Sequence, residues 1–229
     1  MRTKVLLCAA AIAATCALSS TAADVYSLNV VGYVNIPLVE GWNMIANPLD
    51  LDGLATNNTV STALGTNLPW NSVVYTWDIS VAGYTNSTYS TKAGGWSVPG
   101  LRLNPGQGAW LSIPANAFLG TTQSVTTVGT VLQGPLANPN IPALGGYTLI
   151  GSQIPIAGGL TTTLGYRAQT NEVVYTWPLG ATSFGANQVF TLSAKAGGWS
   201  PSEPQIGVGQ GFWLKSLPGS VWTTNFTVQ

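Results

Sequence analysis

Apolar and polar positions alternate with period two in short runs along this chain, and glycine or proline interrupts the runs at close intervals. In VVYTW, Val73, Tyr75 and Trp77 fall on one side of an extended strand, because successive side chains point to opposite faces. Three bulky groups on one side predict a core face, and Val173, Tyr175 and Trp177 in the later VVYTW predict the same. In GQGAWLSI, Ala109, Leu111 and Ile113 share a side while Trp110 and Ser112 share the other. The later GQGFWLK sets Phe212 and Leu214 against Trp213 and Lys215, so both tryptophans fall on the more polar side of their strands. Further strands are expected in LNVVGYVNIPL, at GWNMIANP and around GYTNSTYST. A short helix is expected near residues 59–64, with a counterpart near 160–166. Longer helical periodicity is missing, so the expected class is all-β.

The same landmarks recur in the same order. NSVVYTW from Asn71 returns as NEVVYTW from Asn171, KAGGWS from Lys92 returns letter for letter from Lys195, and GQGAWL from Gly106 returns as GQGFWL from Gly209. GWNMIANPLDLDG from Gly41 aligns with GYTLIGSQIPIAG from Gly146. The pattern predicts two tandem homologous β modules, sandwich-like or barrel-like, related by a pseudo-twofold and carrying one short helix each. Their expected extents are residues 24–127 and 128–229. SVTTVGTVLQG, from Ser124, reads as the close of one module and the opening of the next, and the final TTNFTVQ resembles its closing half. The two ends of the chain therefore read as halves of one junction strand, to be paired internally or between subunits.

Ahead of the first module, Arg2 and Lys4 precede an apolar run from Val5 to about Leu18, followed by small residues. This is the three-part pattern of a secretory signal over residues 1–23, with cleavage expected after Ala23. Both cysteines, Cys8 and Cys16, lie inside it, so the exported chain is expected to hold together without disulfides. Ala13, Ala14 and Thr15 before Cys16 do not form the usual lipidation context. Losing Arg2 and Lys4 leaves five basic residues against seven acidic ones, with no histidine anywhere. Scattered cations in that number make no phosphate-binding patch, so nucleic acid is not an expected partner. No later run is long and apolar enough for a transmembrane helix, and the spacing of Gly and Pro argues against the long strands of a membrane barrel.

ADVYSLNVVGYVNIPL directly after a signal, followed by GWNMIANPLD, VVYTWD and LNPGQGAWLSIP, resembles a large group of secreted β proteins from verrucomicrobial and related bacteria. The order GWN, NP, YxW and then PGQG with an aromatic is also similar to a domain of surface-exported proteins of Bacteroidetes type. The resemblance covers essentially the whole exported chain. It implies export and a β-rich extracellular or cell-surface protein, and it supplies no catalytic residues. The second copy departs from it, with Gly151, Ser152 and Gln153 where the first has Ala46, Asn47 and Pro48.

Without histidine or a cysteine in the exported chain, Ser-His-Asp, Cys-His and imidazole–thiolate zinc sites are excluded. Glu40, Asp50, Asp52, Asp78, Glu172 and Glu203 are the acids available for a glycosidase-type pair, but none has a carboxylate in the equivalent place of the other copy. DLDG at Asp50 to Gly53 lacks the distal glutamate of a calcium loop and reads as an Asp-rich turn. No catalytic role, metal or cofactor is therefore expected. KAGGWS has two readings: a tight hairpin turn with the tryptophan as a lid over backbone, or a ligand-stacking tryptophan beside a lysine donor. Nine tryptophans in an exported β chain make sugar stacking a candidate chemistry, with Trp96, Trp199, Trp110, Trp213, Lys92 and Lys195 as candidate ligand contacts. The expected role is a structural or adhesive protein at the cell surface that self-associates or joins other surface proteins. The alternative is a carbohydrate-binding module.

Overall fold

A computed structural model describes residues 30–185 and 188–228. The expected signal segment and residues 24–29 lie outside the described residues. The class is all-β, as expected. Two five-stranded antiparallel sheets dominate. The first is built from β2 (Gly41–Ala46), β6 (Gly108–Ile113), β3 (Val73–Asp78), β4 (Gly83–Ser90) and β5 (Gly95–Trp96), in that spatial order. The second runs β9 (Gly146–Gly151), β15 (Gly211–Ser216), β11 (Val173–Thr176), β12 (Val189–Ser193) and β13 (Gly198–Ser200). The strands that carry the repeated peptides occupy the same places in both sheets.

The end strands are paired inside the chain. β1 (Val31–Leu38) lies antiparallel to β7 (Gln123–Thr130), from Val31 opposite Thr130 to Leu38 opposite Gln123. β16 (Thr223–Phe226) pairs with β8 (Gly134–Ala137). Gly32 and Gly129 face each other in the first ribbon, where a Cβ on Gly129 would lie 2.7 Å from the Asp50 carbonyl oxygen. That approach lets Asp50 and Thr130 exchange two backbone hydrogen bonds of 2.9 and 2.7 Å. A last two-stranded pair joins β10 (Gly158–Gly159) to β14 (Gln205–Ile206).

Among the described residues one α-helix forms, α1 (Val60–Leu64). Thr59 caps it, and Thr62 returns the hydrogen bond to the Thr59 N–H at 2.9 Å, which satisfies two otherwise orphaned donors. The helix expected at 160–166 is a correction: that stretch is a series of turns. Thr161, Thr162 and Thr163 are β-branched and crowd a helical turn. The Glu203 carboxylate accepts from the Thr161 and Thr162 N–H groups, at 2.5 and 2.7 Å, and Gly165, at φ 75°, ends the stretch after one turn.

The first buried cluster lies beneath the first sheet and includes Val34, Ile36 and Leu38 of β1 with Val60 and Leu64 of α1, Val74, Leu111 and Ile113. The second gathers Leu149, Leu160, Leu164, Tyr166, Phe212, Leu214 and Trp222. These positions correct the expected core face of VVYTW. Val74 and Thr76, with Val174 and Thr176, point into the cores, while Val73, Tyr75 and Trp77 lie on the opposite face. Both parities of this run place a valine inside, and a buried threonine replaces one valine in shape, so the run alone left the side undecided. Its partner strand decides: Leu111 lies directly opposite Val74, and Trp110 opposite Tyr75.

The sheets meet through contacts that repeat with the two halves exchanged. Ala46 N–H donates to the Gly209 carbonyl at 2.8 Å, and Gly151 N–H donates to the Gly106 carbonyl at 3.1 Å. Trp77 Nε1 donates to the Tyr147 carbonyl, and Trp177 Nε1 to the Trp42 carbonyl, each at 3.0 Å. Met44 of β2 joins the second core, and Val208 and Phe226 pack against the first, so the two cores interlock.

Acid sensitivity follows from how surface carboxylates are held. The Thr56 hydroxyl holds Asp52 down to about 2, the Ser80 hydroxyl lowers Asp78, and the Phe118 N–H lowers Glu40. Desolvation alone would raise Glu203, but the Thr162 and Thr161 donors outweigh it and leave it lowered. A depressed folded-state pKa contributes stability above the unfolded value and loses it as pH falls through the folded value. With no histidine to titrate near neutrality, the melting temperature is expected to stay level from about pH 6 to 8 and to fall below about pH 4.5. Thermal unfolding followed by circular dichroism across that range checks this; a level melting temperature down to about pH 2.5 contradicts it.

Candidate functional site

The face of each sheet turned away from its core carries aromatic rings, and the seam between the sheets brings the two sets together. Antiparallel pairing puts directly opposed residues on one face. Trp110 therefore stands beside Tyr75, Trp77 beside Tyr84, and Trp213 beside Tyr175. Trp42 meets Trp110 edge-on at 5.9 Å and Tyr75 at 5.6 Å. Across the seam, Trp77 meets Trp213 and Trp110 meets Trp177, each at 5.0 Å and near perpendicular. Phe184, from the segment between β11 and β12, closes on Trp177 at 4.9 Å and touches Trp110 and Tyr175. Edge-to-face pairs of this kind contribute about 0.5–1.5 kcal/mol each beyond the area they bury.

The result is an open aromatic trough with two clefts. One, of about 650 Å³, lies among Trp77, Tyr147, Tyr175, Phe184 and Trp213. The other, of about 480 Å³, lies among Trp42, Tyr75, Tyr84, Trp110, Trp177 and Phe184. Trp42, Tyr84, Tyr147 and Phe184 stay 44–47% exposed, so their rings are neither core nor ordinary surface. An exposed contiguous apolar face of this kind marks an interaction site.

The trough is nearly uncharged. Among the described residues no carboxylate lines either cleft. Burial raises the Tyr84 phenol, with Trp110 partly opposing, and burial followed by the neighbouring Tyr147 raises Tyr175, so both phenols stay neutral donors at ordinary pH. Asn86 stands opposite Tyr75, Ser112 opposite Trp42 and Thr88 opposite Val73, which borders the rings with amide and hydroxyl groups. Lys215, whose Nζ lies 5.7 Å over the Tyr147 ring, is the cation at its margin.

Of the candidate contacts, Trp110 and Trp213 are brought together in this trough. Trp96 is 5% exposed, donates its indole N–H to the Gly65 carbonyl at 2.8 Å and packs on Tyr89. It is a core residue, which corrects its assignment as a stacking platform. Trp199 is half-buried and donates to the Thr161 hydroxyl at 2.9 Å. Lys92 and Lys195 are exposed at hairpin turns on the outermost strand pairs of the two sheets, β4–β5 and β12–β13. KAGGWS therefore builds a turn with an aromatic lid: Gly94 and Gly197 adopt φ of 66° and 67°, a left-handed conformation that glycine reaches without steric cost.

The candidate acids are scattered and engaged. Asp50 accepts from the Ala55 N–H and from Asn58, Asp52 from Leu54 and Thr56, Asp78 from Ser80, and Glu40 from Phe118. DLDG thus forms an Asp-rich turn. Among the described residues no group of three or more His, Cys, Asp or Glu is placed to hold a metal ion, and no helix is long and apolar enough to cross a membrane. Trp42, Tyr75, Tyr84, Tyr147, Tyr175, Trp177 and Phe184 were not legible as site residues. The outward parity of Trp110 and Trp213 was the one sequence signal pointing to this face. No protein-family model, curated protein or solved structure matches the chain.

Proposed function

We propose that this chain is an exported, noncatalytic binding protein whose aromatic trough holds an uncharged polysaccharide, serving adhesion outside the cell. The observation that carries the reading is the half-exposed aromatic face shared by both sheets and bordered by amides and hydroxyls. Equatorially linked pyranose rings present flat C–H faces that stack on indole and phenol rings, while their hydroxyls seek neutral donors and acceptors at the margin. Reciprocal contacts at the seam support two duplicated modules that make one site between them. The pairing of both end strands within the chain weighs against polymerisation through the termini, so adhesion through the trough is preferred to a self-assembled layer.

The exported chain is expected to be retained on microcrystalline cellulose or chitin, with a change in tryptophan emission when soluble oligomers are added. Trp42→Ala and Tyr147→Ala, one from each cleft, each lower the affinity by about tenfold with little change in melting temperature, since both rings are half exposed. A wild-type chain that passes through both matrices and responds to no neutral oligosaccharide removes the reading. Unchanged retention of both variants removes the trough as the site.

A further inference from the structure

We propose that a polar groove behind Trp77 is a further part of the ligand site, taking the hydroxyls of sugar units beyond those stacked in the trough. This rests on the trough being a glycan face. The groove has a volume of about 400 Å³ and is bounded by Thr76 and Thr85 on one side and by Asn104, Gln107 and Asn140 on another. Trp77 and Ile79 line both it and the larger aromatic cleft, so the two spaces adjoin across one ridge. A ligand lying on the rings of the trough passes over that ridge into a region of different chemistry.

That chemistry suits neutral hydroxyls. The two charges lining the groove are already engaged: Asp78 accepts from the Ser80 N–H and hydroxyl at 2.8 and 2.6 Å, and Arg102 donates to the Thr56 carbonyl at 2.6 Å. Gln107, which lines the groove, has its Oε1 held by the Asn104 N–H at 3.0 Å, which fixes the turn. The Thr85 hydroxyl and the Asn104 carboxamide have no hydrogen-bond partner among the described residues and stand open to solvent or ligand. Convergent neutral donors and acceptors beside an aromatic wall are the ingredients of a sugar subsite.

The groove is far larger on one side of the seam than on the other. Its counterpart across the seam is about 90 Å³, where Ile36, Pro37, Met44, Trp177 and Leu179 leave little room beside Asn43 and Gln210. The tripeptide Asn-Ile-Pro explains the difference, since it occurs at residues 35–37 within β1 and again at 140–142 in the turn after β8. Held in the β1–β7 ladder, Ile36 and Pro37 fill one hollow. Released into a turn, the second copy presents Asn140 to the other groove, its side-chain nitrogen bound to Asn138 at 2.9 Å. A nearly symmetric trough thus gains one polar end, which extends the site in a single direction.

Thr85→Tyr tests this. Thr85 is exposed on β4 opposite Thr76, with Tyr84 and Asn86 on the trough side, so a tyrosine there fills the groove and leaves the rings untouched. Calorimetric titration with cellobiose through cellohexaose, and with the matching chitin oligomers, is expected to show wild-type affinity rising with length. Thr85→Tyr keeps the affinity for the shortest binding oligomer and loses about tenfold for the longest. Asn104→Ala, which removes a side chain without filling space, loses about threefold for the longest alone. Equal affinity of the wild type and both variants for the long oligomers overturns the groove and leaves the trough standing. So does a wild-type affinity that stops rising at the shortest oligomer. Failure of the wild type to bind any oligomer overturns both.

Discussion

Glu172→Ala is expected to lower the unfolding free energy by about 3–5 kcal/mol, the effect of leaving several buried donors without an acceptor. Glu172 is fully buried. One carboxylate oxygen accepts from the Tyr166 hydroxyl at 2.7 Å and the Gln169 N–H at 2.9 Å; the other accepts from the Leu217 N–H at 3.1 Å and the Ser220 hydroxyl. Four donors from two segments, 166–169 and 217–220, converge on one side chain, so its removal strands donors as well as opening a cavity. Burial, followed by the adjacent carboxylate, also pushes the Tyr166 phenol far above its ordinary value, which keeps that donor protonated. In the matching peptide NSVVYTW this place is taken by Ser72, also buried, whose hydroxyl donates to the Pro69 carbonyl at 2.7 Å. Ser72→Ala breaks one neutral hydrogen bond and is expected to cost about 1 kcal/mol. Chemical denaturation of both variants measures the contrast; equal losses would show that the donors around Glu172 rehydrate without penalty.

Gly211→Ala is the second large effect, expected at about 2–3 kcal/mol from overpacking. A Cβ at Gly211 would stand 2.5 Å from the Ile45 carbonyl oxygen and 3.0 Å from its carbon. These are backbone atoms of β2, held beside β15, and no side-chain rotation relieves the clash. The same seam has Gly151, where a Cβ would lie 2.2 Å from the Ala46 Cβ. Because the seam also sets the Trp77–Trp213 and Trp110–Trp177 contacts, the near-ultraviolet circular dichroism of Gly211→Ala is expected to weaken together with stability. Gly100→Ala is the control: nothing lies within 4 Å of its Cβ, and a change under about 0.5 kcal/mol is expected. A Gly211→Ala protein as stable as that control would mean that the two sheets separate at the seam without cost.

Identical letters led to the site in VVYTW and away from it in KAGGWS. KAGGWS builds a tight turn on a left-handed glycine with a covering tryptophan, and Trp96 sits in the core. The trough takes Tyr75, Trp77, Tyr175 and Trp177 from the two copies of VVYTW and Trp110 and Trp213 from GQGAWL and GQGFWL, and completes itself with rings from divergent surroundings. Trp42 and Tyr147 differ in identity, and Phe184 belongs to a segment between β11 and β12 longer than the turn between β3 and β4. The expected second helix stops after one turn: Thr163 and Leu164 donate to the Gly159 carbonyl, and Gly165, at φ 75°, turns the Tyr166 N–H back to Leu160.

By itself the sequence determined the class, the strand positions around VVYTW, GWNMIA and GAWLSI, the glycine turns, and the outward parity of Trp110 and Trp213. These depend on period-two alternation and on glycine geometry, which act over a few residues. The tertiary structure decided which side of VVYTW meets a core, that the end strands pair within the chain, and that rings from two sheets make one trough. Those outcomes depend on β2 and β9 meeting β15 and β6 at glycines close enough for backbone contact, a relation between segments far apart in the chain that no local period encodes.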